Sequence, residues 1–157
     1  MSVVLFRIDD RLIHGQVVVG WGQATQAGFI VLVDDEVRAS DWEQELYRMG
    51  VPPSVHVEFA SLEEAIELVP AWEADARKGI VLAGDIETMA ALCEGAPSIR
   101  KVNVGGIHFR AGRTERLRYV YLSDGEAARL KRLSASGVEI TAQDVPTVSP
   151  VPLDAFA

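Results

Sequence analysis

The sequence contains little cysteine and no long hydrophobic run. One cysteine, Cys93, among 157 residues excludes an intramolecular disulfide and a cysteine-based zinc site, and it favours a reducing compartment. No stretch approaches the roughly 18 apolar residues of a membrane helix. The N-terminus also lacks the basic start and the apolar run of a signal peptide. The sequence therefore predicts a cytoplasmic protein without direct membrane insertion.

Positive charge is also scarce, and it is unevenly distributed. The chain has 15 lysines and arginines against 23 acidic residues, a net charge of −8, which disfavours binding to nucleic acid. Residues 34–94 hold 15 acidic and 4 basic residues, whereas residues 100–118 hold 6 basic residues and 1 acidic residue. The basic segment is a candidate surface for an anion or an acidic partner. A solvated, arginine-rich loop is the alternative.

Short apolar runs alternate with helix-like segments along the chain. This alternation predicts a single α/β domain over residues 1–157, with an open, mostly parallel sheet and helices on both faces. Ligands of such sheets bind beyond the carboxyl ends of the strands. The tail from residue 146 contains three prolines and is predicted to be irregular. The predicted strands are 3–9, 29–33, 55–59, 79–83, 102–104, 117–122 and 138–142; the predicted helices are 15–27, 40–49, 61–75, 86–94 and 124–136.

The loop after the first predicted strand carries the most chemistry. It places Asp9, Asp10, Arg11 and His14 between a strand end and a helix start. A neutral imidazole is a good nucleophile near pH 7, and the planar fork of arginine binds phosphoryl oxygens. Gly15 lets the helix N-terminus approach such oxygens closely. Either aspartate can orient the imidazole or hold Arg11. The loop is interpreted as a phosphoryl-acceptor site, and a structural aspartate–arginine pair beside an ordinary histidine is the alternative.

Patterns of other site classes are incomplete. Residues 20–28 contain glycines, but their spacing does not fit a dinucleotide loop and they lie within a predicted helix. Residues 106–114 have five residues between the glycines of a would-be phosphate loop, and an arginine replaces its lysine. The three histidines lack the spacing of metal ligands. No metal and no cofactor are therefore expected.

The first loop resembles a known family signature. Residues 7–17, which read RIDDRLIHGQV, closely resemble the N-terminal signature of the IIB component of the mannose/fructose/sorbose family of the bacterial sugar phosphotransferase system. Further segments resemble the same family along nearly the whole chain. These segments are residues 33–37, 102–106, 137–139 and 145–147.

The resemblance implies a phosphohistidine–sugar phosphotransferase. In that family a histidine, here His14, accepts a phosphoryl group at Nδ1 from phosphohistidine of a IIA protein. It then transfers the group to a sugar imported through the membrane-embedded IIC and IID components, with which the protein associates peripherally. Arg11 matches the arginine that holds the phosphoryl group, and Asp10 is a neighbouring candidate for orienting the histidine. The sequence leaves open which sugar is used and whether the protein is a homodimer.

Several other residues at the same predicted edge are candidates for contact with phosphate or with a partner. The basic segment 100–118 is expected to dock an acidic partner near the active site. The candidates are Gly15, Gln16, Gly105, Gly106, His108, Arg110 and Arg113.

Three alternative functions remain open at this stage. A standalone IIB-like protein can serve a regulatory phosphorelay without transport. A receiver domain, phosphorylated on aspartate, would explain the acidic pair Asp9-Asp10, but the third predicted strand ends without an acceptor aspartate. A non-catalytic binding module on the same fold would make His14 structural.

Overall fold

The sheet places the first strand at its centre. A computed structural model of the chain describes residues 2–157. The larger sheet has the order β3-β2-β4-β1-β5-β8-β9, with all neighbours parallel except the edge strand β9, while β6 and β7 form a separate antiparallel hairpin. The strands are β1 Val3–Ile8, β2 Phe29–Val33, β3 His56–Ala60, β4 Gly79–Ala83, β5 Lys101–Val104, β6 Thr114–Leu117, β7 Val120–Leu122, β8 Glu139–Ala142 and β9 Val151–Pro152.

Helices begin soon after the strand ends, where short polar side chains cap them. Asp34, Ser40, Ser61, Asp85 and Ser123 each accept a hydrogen bond from a backbone N–H of the first helical turn. The helices are a π-helix at Gln16–Trp21 that continues into α1 Gly22–Thr25, then α2 Asp35–Arg38, α3 Asp41–Met49, α4 Leu62–Glu73, α5 Ile86–Gly95, α6 Asp124–Ala135 and a 3₁₀ turn at Leu153–Ala155.

Two apolar cores lie on the two faces of the sheet. Strands β2 and β4 are buried along their whole length, as the uninterrupted apolar runs of a parallel sheet require. Helices α4, α5 and α6 contribute to the larger core, and the π-helix and α2 contribute to the smaller one, with α3 packed against it through Tyr47. The predicted α/β fold with helices on both faces is confirmed.

The loop with the candidate histidine lies at the carboxyl edge of the sheet. Strand β1 pairs with β4 on one side and β5 on the other, so the loops after these strands meet there. The backbone N–H of Asp9 donates to Ala83 O at 2.9 Å, and the N–H of Asp10 donates to Gly106 O at 2.9 Å. These bonds tie the first loop to both neighbouring strand ends.

Two predicted elements are wrong. The single strand predicted at 117–122 is the β6–β7 hairpin, because the chain reverses between Leu117 and Val120. The tail predicted to be irregular contains β9 and a 3₁₀ turn, since Leu153 and Phe156 are buried in the larger core. Helix α4 continues through Pro70 to Glu73, within the predicted range 61–75. The short helix α2 was not predicted, because four residues are too few for a periodic pattern.

Candidate functional site

A buried ion pair closes the end of β1. The side chains of Arg7 and Asp9 have no solvent exposure, and Arg7 Nη2 lies 3.2 Å from Asp9 Oδ2. Burial lowers the pKa of Arg7, and the adjacent Asp9 carboxylate opposes this effect. Arginine remains protonated at physiological pH even so. The pair is therefore a fixed positive and negative charge inside the protein.

The guanidinium of Arg7 connects β1 to the ends of two other strands. Its Nη1 donates to Asn103 Oδ1 on β5 and to Gln143 O, 2.8 Å away, just after β8. Its Nη2 donates to Asp144 O at 3.0 Å. The guanidinium also lies 4.9 Å from the ring centroid of Trp21, in cation–π contact. One side chain thus holds together three strand ends and the helix of the first loop.

The Asp9 carboxylate is the common acceptor of the site. Arg11 donates to its Oδ1 through the backbone N–H at 3.1 Å and through Nε at 3.0 Å, and to its Oδ2 through Nη2 at 3.0 Å. His14 Nε2 lies 3.4 Å from Oδ2. Burial by itself raises the pKa of Asp9, but the bonds from His14 and Arg11 and the charge of Arg7 outweigh it. They hold the pKa well below its usual value. The carboxylate is therefore ionised throughout the physiological range.

Both nitrogens of the His14 ring have a polar partner. Nε2 faces the ionised Asp9 carboxylate, which can only accept, so Nε2 carries the hydrogen. The backbone N–H of Gln16 donates to Nδ1 at 3.2 Å, so Nδ1 presents a lone pair. The side chain is 19% exposed. The geometry thus selects the tautomer in which Nδ1 is the nucleophilic atom.

Arg11 has contacts besides Asp9 that a ligand can replace. Its Nη1 donates to Gln16 Oε1, and its Nη2 lies 3.6 Å from Asp144 Oδ1. The side chain is 29% exposed, so part of the guanidinium faces solvent beside His14. Arg11 is therefore positioned by Asp9 while keeping donors that can bind an anion.

Gly105 and Gly106 make room for the two arginines. A Cβ at Gly105 would collide with the guanidinium of Arg7, and a Cβ at Gly106 would lie 3.0 Å from Arg11 Nε. Both residues were predicted as contacts for phosphate or a partner. In the structure they lie under Arg7 and Arg11. A Cβ at Gly15, in contrast, would meet nothing within 4 Å.

The sequence interpretation made Asp10 a candidate for orienting His14, but the structure places its side chain against His108 instead. Its Oδ2 accepts the backbone N–H of His108 at 2.7 Å, and its Oδ1 lies 2.6 Å from His108 Nδ1. The carboxylate in contact with His14 belongs to Asp9, because β1 ends at Ile8 and the buried side chain of Asp9 points inward. Asp10 instead fastens the loop after β5 to the first loop.

The predicted basic segment does not form one surface. Arg100 precedes β5 and lies at the amino edge of the sheet, opposite His14. Arg113 is 10% exposed and binds Glu126 at 2.9 and 2.7 Å. Arg110 is exposed next to Phe109, whose ring is 66% exposed and packs edge-on against Tyr121 at 6.1 Å. Of the predicted contact residues in this loop, His108 and Arg110 present their side chains to solvent.

Sequence reasoning did not assign a role to Arg7, Asn103 or Asp144. Arg7 itself was the signal in the sequence for such a role. It is a charged residue in the apolar run of β1, and a charge buried there requires a counterion. The partners after β8 lie more than 130 residues away in the chain, and no local pattern connects them.

The described part of the chain offers no metal centre and no membrane span. Within residues 2–157, no group of three or more histidine, cysteine or acidic side chains is arranged to hold a metal ion. No helix in that range is long and apolar enough to cross a membrane. Burial raises the pKa of Cys93 to about 12, so its thiol is not a nucleophile at neutral pH.

The buried charges predict the effect of neutralising Asp9. Asp9→Asn leaves the buried Arg7 without a counterion and should lower the free energy of unfolding by about 3–5 kcal/mol. Because the folded state lowers the pKa of Asp9, this contribution is complete above the unfolded pKa of about 3.9. It is lost as the pH falls towards the folded pKa. Urea unfolding at pH 7 and pH 3.5 should therefore show a smaller difference between wild type and variant at the lower pH.

Asp10→Asn is the matched control, since the Asp10 side chain is 21% exposed and bonds to an exposed histidine. It should cost about 1 kcal/mol or less. Equal losses for the two variants at pH 7 would contradict the central role of Asp9.

The chain is similar to known proteins along nearly its whole length. The profile of the family described as "PTS system sorbose subfamily IIB component" matches residues 3–157. The chain is 33% identical over 148 residues to the N-acetylgalactosamine-specific phosphotransferase enzyme IIB component 1 of Escherichia coli strain K12, with 92% of each chain covered. It is also 33% identical over 147 residues to the mannose-specific EIIAB component of that strain, covering 94% of this chain and 46% of the relative.

A solved structure supports the same relationship. The IIBSor domain of the sorbose permease from Klebsiella pneumoniae superposes with a TM-score of 0.88 at 28% identity, covering 99% of this chain and 96% of that domain. Together with the profile match and the relatives above 30% identity, this likeness shows that the chain belongs to the sorbose subfamily of IIB components of the sugar phosphotransferase system, which are phosphotransferases.

Proposed function

We propose that His14 carries the phosphoryl group of this phosphocarrier on Nδ1. IIB components receive the group from a IIA component and pass it to a sugar. The observation that carries the proposal is the tautomer of His14. Asp9 faces Nε2 at 3.4 Å, and the Gln16 N–H donates to Nδ1 at 3.2 Å. The lone pair of the partly exposed ring is thus on Nδ1, where it accepts the Gln16 N–H in the unphosphorylated protein.

In the first transfer, the Nδ1 lone pair attacks the phosphorus atom of phosphohistidine on the IIA partner. A new N–P bond forms while the old one breaks, and the electron pair of the broken bond stays on the imidazole of the IIA protein. The His14 ring gains positive character, which the ionised Asp9 carboxylate offsets through Nε2–H. The buried carboxylate is already oriented, so its stabilisation needs no rearrangement during transfer.

Arg11 neutralises the charge of the phosphoryl group in this mechanism. Three bonds to Asp9 fix its position, and the Nη1 bond to Gln16 Oε1 can be exchanged for a phosphoryl oxygen. The Gln16 N–H, released from Nδ1, is within reach of a second oxygen. A Cβ at Gly15 would meet nothing within 4 Å, so the space next to this residue is open. These groups bind an anion without a metal ion.

In the second transfer, a hydroxyl oxygen of the sugar attacks phosphorus and the N–P bond to His14 breaks. The electron pair returns to Nδ1, the hydroxyl proton is released, and His14 recovers its starting tautomer. The sugar is imported through membrane-embedded IIC and IID components, so the protein acts at the cytoplasmic side of the membrane in peripheral association with them. The mannose-specific relative is an EIIAB component, which supports a IIA protein as the donor.

The first test identifies the phosphorylated atom. Incubation of the protein with its phosphorylated IIA partner should label His14, and mass mapping under alkaline conditions should place one phosphoryl group there. The label should be acid-labile and stable to alkali, because phosphohistidine has this stability and an acyl phosphate does not. His14→Gln should abolish labelling, whereas His108→Gln should still be labelled on His14. Full labelling of His14→Gln would disprove the proposal.

The second test concerns Arg11. Arg11→Ala removes donors from the transferring phosphoryl group and should slow phosphorylation by about a hundredfold or more. It also removes charged hydrogen bonds to Asp9, so a loss of about 1–3 kcal/mol in stability is expected. Arg38→Ala removes an exposed arginine that is paired with Glu64 and serves as the control. A normal transfer rate in folded Arg11→Ala would assign the residue to the fold alone.

The third test concerns the exposed arginine of the loop after β5. Arg110 lies at the carboxyl edge beside His108 and is expected to attract an acidic IIA partner. Arg110→Ala should lower the phosphorylation rate at limiting IIA concentration, and the loss should shrink at high salt because salt screens exposed charges. Arg100→Ala removes the same charge at the opposite edge and should have no such effect. Equal losses for both variants would reject a local docking role.

A further inference from the structure

Helix α3 turns its apolar side to the solvent. Trp42, Leu46 and Met49 are spaced by four and three residues, so they form one stripe along the helix. Their exposures are 67%, 51% and 80%. Amphipathic helices of globular proteins usually direct such a stripe into the core. The stripe is therefore an exposed apolar surface of the kind that binds a partner.

The inner side of α3 is attached by other means. Gln44 is 8% exposed and donates from Nε2 to Val37 O at 3.1 Å and to Arg38 O at 2.9 Å. The Tyr47 ring lies 6.3 Å from the Phe59 ring. These contacts attach the helix through residues other than the apolar stripe. The fold thus does not require apolar residues at the three exposed positions.

The stripe lies in acidic surroundings. Residues 34–49 contain six acidic and two basic residues, a net charge of −4. Glu45, next to the stripe on the helix, has a 72% exposed side chain. Both basic residues already have acidic partners, Arg38 with Glu64 at 2.9 Å and Arg48 with Glu45 at 3.7 Å. A matching partner surface would therefore present an apolar groove with basic residues around it.

The stripe starts at the same edge of the sheet as His14. Helices α2 and α3 follow the carboxyl end of β2, and Ser40 caps α3 there, so Trp42 lies in the turn nearest to this edge. Strand β2 is separated from β1 by one strand, β4. A partner bound to the stripe can therefore extend to the His14 loop. The exposed Arg110 lies on the other side, after β5.

We propose that the stripe of Trp42, Leu46 and Met49 docks the membrane-embedded components at which the sugar accepts the phosphoryl group. This inference rests on the proposed function. Cytoplasmic loops of membrane proteins are rich in lysine and arginine, which complements the acidic surroundings of the stripe. Tryptophan is the residue type most enriched among those that dominate binding energy. The charge of this surface is opposite to that of Arg110, so the two partners bind different sides of one edge.

Other binding partners would complement the acidic surroundings of the stripe less well. A symmetric dimer through the stripe would bring two segments of net charge −4 together, which is unfavourable. An anionic lipid surface would repel the same acidic residues. The membrane component is the partner in which an apolar surface and a basic rim are both expected.

The test separates docking from chemistry. Trp42, Leu46 and Met49 are replaced together by glutamine, which is a good helix former and suits an exposed position. The variant and wild type are phosphorylated by IIA and titrated against vesicles that contain the membrane components and labelled sugar. The KM for the phosphorylated protein should rise at least about tenfold while kcat changes little. Val148→Gln, at another exposed apolar residue, is the control and should behave as wild type.

Each other outcome overturns the docking proposal in a distinct way. An unchanged KM rejects it directly. A parallel loss in the rate of phosphorylation by IIA would assign the stripe to that partner. A wild-type dimer in sedimentation that the triple variant abolishes, with KM unchanged, would make the occupant a second copy. Binding to protein-free vesicles of phosphatidylethanolamine and phosphatidylglycerol would make it lipid. Failure of the proposed function itself would instead appear earlier, as the absence of label on His14.

Discussion

The buried pair of Arg7 and Asp9 is the interaction on which the site depends. A buried ion pair contributes little net stability relative to apolar residues, but removing one partner leaves an isolated buried charge. Arg7 binds groups on β5 and after β8 besides Asp9, so the pair joins strand ends that are far apart in sequence. Gly105 is required beside it because a Cβ would occupy the space of the guanidinium. The ion pair that joins these strand ends thus also orients the charged groups of the candidate site.

The buried Asp9 carboxylate orients the ring of a partly exposed histidine. The Asp9 carboxylate accepts hydrogen bonds from Arg7 and Arg11, and it also faces Nε2 of His14. The imidazole is consequently oriented through Nε2, which leaves the lone pair on Nδ1, where the Gln16 N–H donates. Arg11 is oriented by the same carboxylate while keeping contacts with Gln16 and Asp144 that an anion can replace. This arrangement suits a carrier that must accept a charged group from one molecule and release it to another.

Much of the fold followed from local patterns. The strands at Phe29–Val33 and Gly79–Ala83 were predicted with their observed bounds, because uninterrupted apolar runs between polar loops are typical of buried parallel strands. The helix predicted at 40–49 is observed as α3, which ends at Met49 as predicted and begins after its cap Ser40. The β6–β7 hairpin and β9 were missed for the opposite reason. Strand β6 is partly exposed along its length and β9 has only two residues, so neither shows an uninterrupted apolar run.

The sequence by itself determined the alternation of elements, the loop that carries His14 and Arg11, and the family to which this loop is similar. The tertiary structure decided that Asp9, and not Asp10, contacts His14, because β1 ends with the side chain of Asp9 directed into the protein. It also decided that Arg113 is held by Glu126 while Arg110 is free for solvent. Local patterns specify which groups follow a strand. Only packing between distant segments specifies which of those groups are buried, paired or exposed.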